Sequence, residues 1–242
     1  MICTIHVGNT HITAVLWKGN TLRTRVRLKT HAGDLSSLRR MLALDHRDTV
    51  VIAGVVPAVM NRLRAYVRKV SCARMCEVGK DLNVPMKSRY RKPSSLGVDR
   101  LLCEYAAFRA SAQPLIVLDA GTAITIDAVS KKGVFLGGVI VPGLQMSLDA
   151  LHARTALLPG CRLKDPGKLI GVDTTSCMLS GVVRGTAALC DALIRDMKKI
   201  VGPHAEIVYT GGDASLLKRY SRHYAVVRED LVLSAMRLLI SE

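Results

Sequence analysis

The stretch PLIVLDAGTAITIDAVSKKG at residues 114–133 repeats the pattern of the first twenty residues, MICTIHVGNTHITAVLWKGN. Each begins with an apolar run, passes through a glycine turn, and continues with alternating apolar and polar residues up to a basic turn. Alternation of this kind predicts a β-strand that is buried on one side. Aligning Gly121 with Gly8 gives an offset of 113, which also places Asp119 on His6, Ala123 on Thr10, Ile124 on His11 and Lys131 on Lys18.

A third strand is predicted in each half, over TLRTRVRLKT (21–30) and VFLGGVIVPG (134–143). A unit of three strands that occurs twice indicates two related domains. The segment SAQP at 111–114 breaks the pattern between them. We therefore predict an N-terminal domain over residues 1–113 and a C-terminal domain over 114–242.

Helical periodicity and single buried strands fill the sequence between these β units. Alternation of helices with strands predicts an α/β fold, with the ligand between the two domains. The predicted helices cover 35–44, 58–70, 98–112, 177–200 and 229–240, while TVVIAGVV (49–56) and the start of AEIVYTGGDASLLKRY (205–220) are predicted strands.

The charge is unevenly distributed along the 242 residues, whose net charge is +16. Residues 1–110 hold 20 lysines and arginines against seven acidic residues. Such a basic half can bind nucleic acid, a membrane surface or an anionic substrate. Aromatic residues make up only 4% of the chain and are not interleaved with the basic ones, so we do not expect a nucleic-acid-binding protein.

The remaining composition predicts a cytoplasmic protein that does not enter a membrane. No apolar run reaches the roughly 20 residues of a membrane-spanning helix, and the first residues lack the pattern of a signal peptide. The seven cysteines have no paired spacing, which favours reduced thiols.

Glycine-containing turns after strands expose backbone N–H groups that suit phosphate oxygens. Two such turns lie at Gly8 and Gly121, and a third, YTGGDAS (209–215), leads into a helix. Two related turns could hold the phosphates of a nucleotide from opposite sides, while Gly211 and Gly212 would let the backbone approach the nucleoside. The alternative is that all three are simple tight turns.

Four motifs together resemble the type III pantothenate kinases: GNT (8–10), RYRKPSSLGVDR (89–100), DAGTAITID (119–127) and TGGD (210–213). This family belongs to the superfamily of actin, sugar kinases and heat-shock chaperones. The resemblance implies two duplicated ribonuclease-H-like domains with a nucleotide cleft between them. It also implies ATP-dependent phosphorylation of pantothenate to 4′-phosphopantothenate, the first step of coenzyme A biosynthesis. A homodimer, Mg²⁺ and a monovalent cation (K⁺ or NH₄⁺) are implied as well.

The resemblance assigns roles to individual residues. Asp99 is the expected catalytic base, and its place in the first turn of a helix would favour its ionised form; without the motif it could equally be a helix cap. Arg100 offers donors for the pantothenate carboxylate, and Asp119 matches the ligand of the monovalent cation. The implied substrate-binding residues are Tyr90, Gly97, Val98, Asp99, Arg100 and Thr174. The implied ATP-binding residues are His6, Val7, Gly8, Asn9, Thr10, His11, Ile12, Thr13, Thr122, Gly211 and Gly212.

The chain departs from the family at His6, where an aspartate that helps to hold magnesium normally stands. An imidazole nitrogen is a poor partner for Mg²⁺, which prefers oxygen ligands. Three interpretations follow: an enzyme with an altered metal site, a weak kinase, or an inactive homologue that acts as a binding or regulatory protein. From sequence alone, we expect His6→Asp to lower the magnesium requirement.

Overall fold

The computed structural model describes residues 1–32 and 34–241, and it divides the chain into two α/β units. The first unit contains the residues up to Met86, residues 91–106 and the C-terminal helix that begins at Leu231. The second contains Lys87–Tyr90 and Ala107–Asp230. These bounds differ from a single division at residues 113 and 114. The last helix returns to the first unit because its buried apolar face packs against that unit's sheet.

The first unit is built on a five-stranded mixed sheet. Its strand order is β3-β2-β1-β4-β5, in which β1 pairs antiparallel with β2 and parallel with β4. Its elements are β1 (Ile2–Val7), β2 (His11–Lys18), β3 (Thr21–Lys29), β4 (Thr49–Gly54), α1 (Pro57–Val70), β5 (Arg74–Glu77) and α2 (Val98–Ser111), the last of which continues into the second unit.

The second unit repeats the same topology. Its order is β10-β9-β6-β7-β8. In the direction from β8 to β10, this order corresponds strand for strand to that of the first unit, which confirms the predicted duplication. Its elements are β6 (Leu115–Ala120), β7 (Ala123–Val129), β8 (Phe135–Pro142), α3 (Leu144–Ala153), α4 (Thr174–Val201), β9 (Glu206–Thr210), α5 (Ala214–Tyr220) and β10 (Val226–Val227). The chain then returns to the first unit as α6 (Leu231–Ser241).

The glycine loop of the second unit is one residue shorter than that of the first. The Gly8 amide donates to the carbonyl of His11, whereas the Gly121 amide donates to that of Ala123. Ala123 therefore begins β7 as His11 begins β2. The equivalence changes from 113 to 112 after the glycine, so the predicted matches of Ala123 with Thr10, Ile124 with His11 and Lys131 with Lys18 are wrong.

The predicted helix over 35–44 is also wrong, because the chain there forms one 3₁₀ turn at Ser36–Leu38 followed by further turns. The Asp34 carboxylate accepts hydrogen bonds from the amide and the hydroxyl of Ser36, each 2.8 Å long. Local bonds of this kind compete with a regular helix. The apolar pattern nevertheless serves the core, in which Leu35, Leu38, Met41, Leu42 and Leu44 are buried.

Helix α4 is the central helix of the second unit. Its 28 residues are long and apolar enough to cross a membrane by composition alone. Instead, a stripe at helical spacing (Val183, Ala187, Cys190 and Ile194) is buried in the core beside β6 and β7. A capping box between Asp173 and Ser176 begins the helix. The length and apolarity of α4 are thus explained by its place in the core.

Candidate active site

His6 and Asp99 meet in the first unit. His6 lies near the end of β1, and Asp99 lies in the first turn of α2. The Nε2 atom of His6 is 2.9 Å from Oδ1 of Asp99, and the two side chains are 17% and 22% exposed. The imidazole and the expected catalytic base therefore lie within ion-pair distance of each other, a relationship that the sequence did not indicate.

The loop that follows β1 is anchored by Thr30. The hydroxyl of Thr30 donates to the carbonyl of Gly8 at 2.7 Å, and its amide donates to the carbonyl of Thr10 at 2.9 Å. Thr30 is buried, while Asn9 and Thr10 are exposed. The two hydrogen bonds from Thr30 thus fix the backbone of the loop, while the side chains of Asn9 and Thr10 remain exposed to solvent. No motif signalled Thr30, which directly follows the basic strand β3.

The expected nucleotide-binding residues around this loop differ in what they can offer. Val7 and Ile12 are buried in the core, so only their backbone could reach a ligand. The Nδ1 atom of His11 lies 3.1 Å from a guanidinium nitrogen of Arg27. Burial, together with the positive charges of Arg27 and Lys29, lowers the pKa of His11. His11 is therefore a neutral acceptor for Arg27. Thr13 is half-buried and pairs with His6 across β1 and β2.

Two glycine loops lie side by side in the second unit. The amide of Asp213 donates to the carbonyl of Ala120 at 3.0 Å, which joins the loop after β9 to the end of β6. Gly211 has a φ of +91°, and a Cβ there would overlap both the Ala120 carbonyl and the Asp119 carboxylate. The structure thus brings Asp119 and Gly211 together, and Gly212 follows in the same turn.

Thr122 belongs to the same cluster. A Cβ on Gly143, at the start of α3, would overlap the carbonyl oxygens of Gly121 and Thr122. The Gly143 amide donates to the Thr122 carbonyl at 3.2 Å. Gly143 therefore closes the back of the loop, a role that the quoted motifs did not identify.

The donors at this loop fit a hard monovalent cation. Asp119 contributes a half-buried carboxylate near the end of β6, and its Oδ1 atom and the Ala120 carbonyl oxygen would both contact a Cβ on Gly211. Oxygen donors of this kind suit K⁺ better than the nitrogen or sulfur ligands of transition metals. Among residues 1–32 and 34–241, no group of three or more His, Cys, Asp or Glu side chains forms a metal site. Mg²⁺ fits this arrangement if ATP phosphates and water supply most of its ligands.

The expected substrate-binding residues are distributed over both units. In the first unit, no atom lies within 4 Å of the position that a Cβ on Gly97 would occupy, so the backbone before Asp99 is open. Val98 and Arg100 flank Asp99 on α2 and are half-buried. In the second unit, Tyr90 lies with its ring 6.2 Å from that of Phe135.

Thr174, the first residue of α4, is exposed and follows the helix cap. The cap is Asp173. Its carboxylate accepts from the amide of Ser176 at 2.9 Å, and hydrogen bonds from the Ser176 amide and hydroxyl lower the pKa of Asp173. Asp173 therefore caps the N-terminus of α4.

A separate cavity of about 300 Å³ lies in the second unit, between α4 and the loop after α5. Arg195, Arg222 and His223 line it together with Asp191. The Asp191 carboxylate already accepts from the Ser221 hydroxyl and the Arg222 amide. None of the expected site residues lies there, so we assign it no part in the reaction.

Residues 2–196 match the sequence profile of the family described as type III pantothenate kinase. The chain belongs to this family. It is 33% identical to the type III pantothenate kinase of Rubrobacter xylanophilus, with 99% of this chain and 97% of the relative covered. It is 35% identical to that of Frankia alni, with 100% and 99% covered.

Solved structures share the fold of this chain along nearly its whole length. A putative Baf family transcriptional activator from Campylobacter jejuni matches with a TM-score of 0.64 at 20% identity, covering 99% of this chain and 97% of that one. A putative 2-dehydro-3-deoxygalactonokinase from Sinorhizobium meliloti matches with a TM-score of 0.58 at 11% identity, covering 99% and 98%. The duplicated actin-like ATPase fold expected from the sequence is confirmed.

Proposed function

We propose that the chain transfers the γ-phosphoryl group of ATP to the primary hydroxyl of pantothenate, with Asp99 as the general base. The reaction is that of the family: it yields ADP and 4′-phosphopantothenate at the first step of coenzyme A biosynthesis. The observation that carries the assignment of the base is the position of Asp99, in the first turn of α2 beside an open glycine. ADP formation that depends on pantothenate tests the proposal, and ATP hydrolysis indifferent to pantothenate would overturn it.

The proposed reaction does not require a covalent bond between the protein and the phosphoryl group. Phosphoryl transfer is catalysed mainly by positioning and by stabilisation of charge on the phosphate oxygens. Asp99 accepts the proton of the attacking hydroxyl, and the γ-phosphorus–oxygen bond to ADP breaks as the new phosphorus–oxygen bond forms. Because His6 occupies the Oδ1 side of the carboxylate, we assign Oδ2 to the substrate hydroxyl.

Pantothenate carries a carboxylate that needs a cationic partner. Arg100, adjacent to Asp99 on α2, supplies a planar set of donors for it. The open backbone at Gly97 leaves space for the chain of the substrate. Tyr90, Val98 and Thr174 complete the proposed set, with Tyr90 as an aromatic wall and Thr174 as a hydroxyl donor.

Each unit has a glycine loop whose backbone N–H groups can hold phosphate oxygens of the nucleotide. Asn9 and Thr10 offer exposed polar groups in the first unit, and Thr122 does so in the second. Gly211 and Gly212 lie beside the nucleoside, where a side chain would obstruct it. Mg²⁺ would neutralise charge on the phosphates, and Asp119 would supply a carboxylate ligand for K⁺ or NH₄⁺.

A homodimer is part of the proposal. The loop before α4 exposes three large apolar side chains, those of Leu169, Ile170 and Val172. It is nevertheless fixed in place, since Ser180 and Arg184 of α4 donate to its carbonyl oxygens. Exposed apolar side chains on a fixed loop are typical of a subunit interface. We also propose that the enzyme is cytoplasmic, because its seven cysteines lack paired spacing, which favours reduced thiols.

The alternative, an inactive homologue with a binding or regulatory role, is not favoured, since the two relatives from Rubrobacter xylanophilus and Frankia alni are type III pantothenate kinases. The presence of the candidate base, the loop glycines and Asp119 supports a kinase instead. We therefore do not propose a second function.

A further inference from the structure

We infer that Arg27, on the edge strand β3, binds a phosphate group of ATP while His11 holds its guanidinium beside the Gly8 loop. The inference rests on the proposed function, since it assumes that this loop receives the nucleotide phosphates. The expected ATP-binding residues include no lysine or arginine. Arg27 would therefore add a planar set of cationic donors, which suits phosphate oxygens.

The side chain of Arg27 is directed toward the loop end of the sheet. In the register of β2 and β3, Arg27 lies opposite Thr13. Its guanidinium nevertheless reaches His11, whose Nδ1 atom is 3.1 Å from a guanidinium nitrogen. His11 lies two residues, or about 7 Å along the strand, nearer the loop than Thr13. The charged end of Arg27 is therefore beside the first residue after the Gly8 loop.

His11 is suited to hold this guanidinium in place. Its carbonyl accepts from the Gly8 amide at 2.9 Å, so its backbone closes the loop. Burial and the positive charges of Arg27 and Lys29 lower the pKa of the imidazole, which favours a neutral ring with Nδ1 as an acceptor. An arginine carries five N–H donors, and the contact with His11 uses one of them. The guanidinium can therefore bind a phosphate oxygen while it stays bonded to His11.

Arg27 lies on the same face of the sheet as the candidate base. Thr13 is the cross-strand partner of both His6 on β1 and Arg27 on β3, and side chains of directly paired residues lie on one face. The Nε2 atom of His6 is 2.9 Å from Oδ1 of Asp99. Only β2 separates β1 from β3, so their backbones are about 10 Å apart. A phosphate group bound by Arg27 therefore lies on the side of the sheet that carries Asp99.

The charge around the loop favours an anion. Residues 1–33 include no aspartate or glutamate. Arg27 and Lys29 are exposed near the end of β3, and Lys29 lies directly opposite His11. Thr30, the next residue, anchors the loop with its two hydrogen bonds. One short segment of the chain thus fixes the loop backbone and supplies positive charge beside it.

The test compares Arg27→Met with Arg23→Met. Both substitutions remove one positive charge from an exposed position of β3, but Arg23 lies four residues, or about 13 Å, farther from the loop end. That separation exceeds the Debye length of about 8 Å at physiological ionic strength. Isothermal titration calorimetry at this ionic strength measures the dissociation constants of ATP and of adenosine for the wild-type chain and both variants.

We expect Arg27→Met to weaken ATP binding roughly 10- to 100-fold, the usual effect of losing a hydrogen bond to a charged group. Adenosine has no phosphate, so its dissociation constant should not change. Arg23→Met should leave the binding of both ligands close to that of the wild-type chain. Thermal unfolding of the two variants checks that they fold equally well.

The positioning role of His11 has its own readout. His11→Phe removes the acceptor, and we expect it to weaken ATP binding by less than Arg27→Met does. The same substitution should have no further effect in the Arg27→Met background, because a positioning residue acts only through the group that it positions. Additive effects of the two substitutions would contradict this role of His11.

Equal dissociation constants of ATP for Arg27→Met and Arg23→Met would overturn the inference, as would equal losses of ATP and adenosine binding in Arg27→Met. Failure of the proposed function would look different. ATP binding would still depend on Arg27, while the wild-type chain formed no ADP in response to pantothenate.

Discussion

The carboxylate of Asp119 lies directly against the backbone of Gly211, so that a Cβ at position 211 would overlap its Oδ1 atom. This contact joins the loop after β6 to the loop after β9. Asp119, the proposed cation ligand, and Gly211, the glycine proposed to face the nucleoside, are thus in contact. A substitution at either residue should affect the position of the other.

Gly211→Ala should therefore disturb both stability and nucleotide binding. Its φ of +91° already disfavours a side chain, and the added methyl group would overlap Asp119 and the Ala120 carbonyl. We expect a lower unfolding temperature and a KM for ATP raised about tenfold or more. Gly79→Ala is the matched control, because Gly79 has a φ of +86° and no neighbour within 4 Å of a Cβ. In that variant, backbone strain alone should lower the free energy of unfolding, by roughly 1–2 kcal/mol, and the KM for ATP should not change. Equal effects on KM in the two variants would exclude the proposed contact with the nucleotide.

Asp119→Asn should weaken the response to the monovalent cation. The change keeps the shape of the side chain but removes the charge that attracts K⁺. We expect half-maximal activation at a higher potassium concentration, measured as turnover across a KCl series at constant ionic strength. Asp196→Asn, on the exposed surface of α4, should leave the activation curve unchanged. An unchanged curve for Asp119→Asn would remove this residue from the cation site.

His6→Asp should lower turnover, which reverses the sign expected from sequence alone. The substitution replaces the imidazole that lies 2.9 Å from Asp99 with a second negative charge, and like charges disfavour ionisation of both groups. His6→Asn is the control of equal size without the charge, and we expect it to be faster than His6→Asp throughout a magnesium series. Should His6→Asp exceed wild type at limiting magnesium, the original expectation of a weakened magnesium site would be correct.

The pair formed by Arg64 and Glu77 should make stability depend on acid pH. The guanidinium of Arg64 donates to both carboxylate oxygens of Glu77, at 2.6 and 3.1 Å. Burial opposes ionisation, but the hydrogen bonds from Arg64 and Lys80 outweigh it and hold the pKa of Glu77 below its ordinary value. A lowered pKa in the folded state gives stability that is present above the unfolded pKa and is lost as the pH falls through the folded one.

We expect Glu77→Gln to lower the urea midpoint clearly at neutral pH and only slightly in strong acid. Lys80→Gln, which removes the more exposed partner, should have a smaller effect at neutral pH. A difference between wild type and Glu77→Gln that stays constant from neutral to strongly acid pH would show that the ion pair does not stabilise the fold.

The topology could be predicted from the sequence because the same strand pattern occurs twice in the chain. Strand alternation around Gly8 and Gly121 determines two similar three-stranded units, and the LGVDR motif places Asp99 at a helix start. Local pattern does not determine which distant segments meet. The contact of His6 with Asp99 and the return of α6 to the first sheet both depend on tertiary packing across the chain. The one-residue difference between the glycine loops could not be predicted for another reason. Apolar and polar residues alternate on both sides of each turn, so the pattern does not show how long the turn is.

The most direct test of the account measures 4′-phosphopantothenate and ADP formed by the wild-type chain and by Asp99→Asn, with and without pantothenate. The account predicts that the wild-type chain forms both products in equal amounts only when pantothenate is present. It predicts that Asp99→Asn lowers kcat by about 10²–10⁴-fold while the protein remains folded, which is the usual contribution of a general base. Unchanged turnover in Asp99→Asn, or ADP formation without phosphopantothenate, would contradict it.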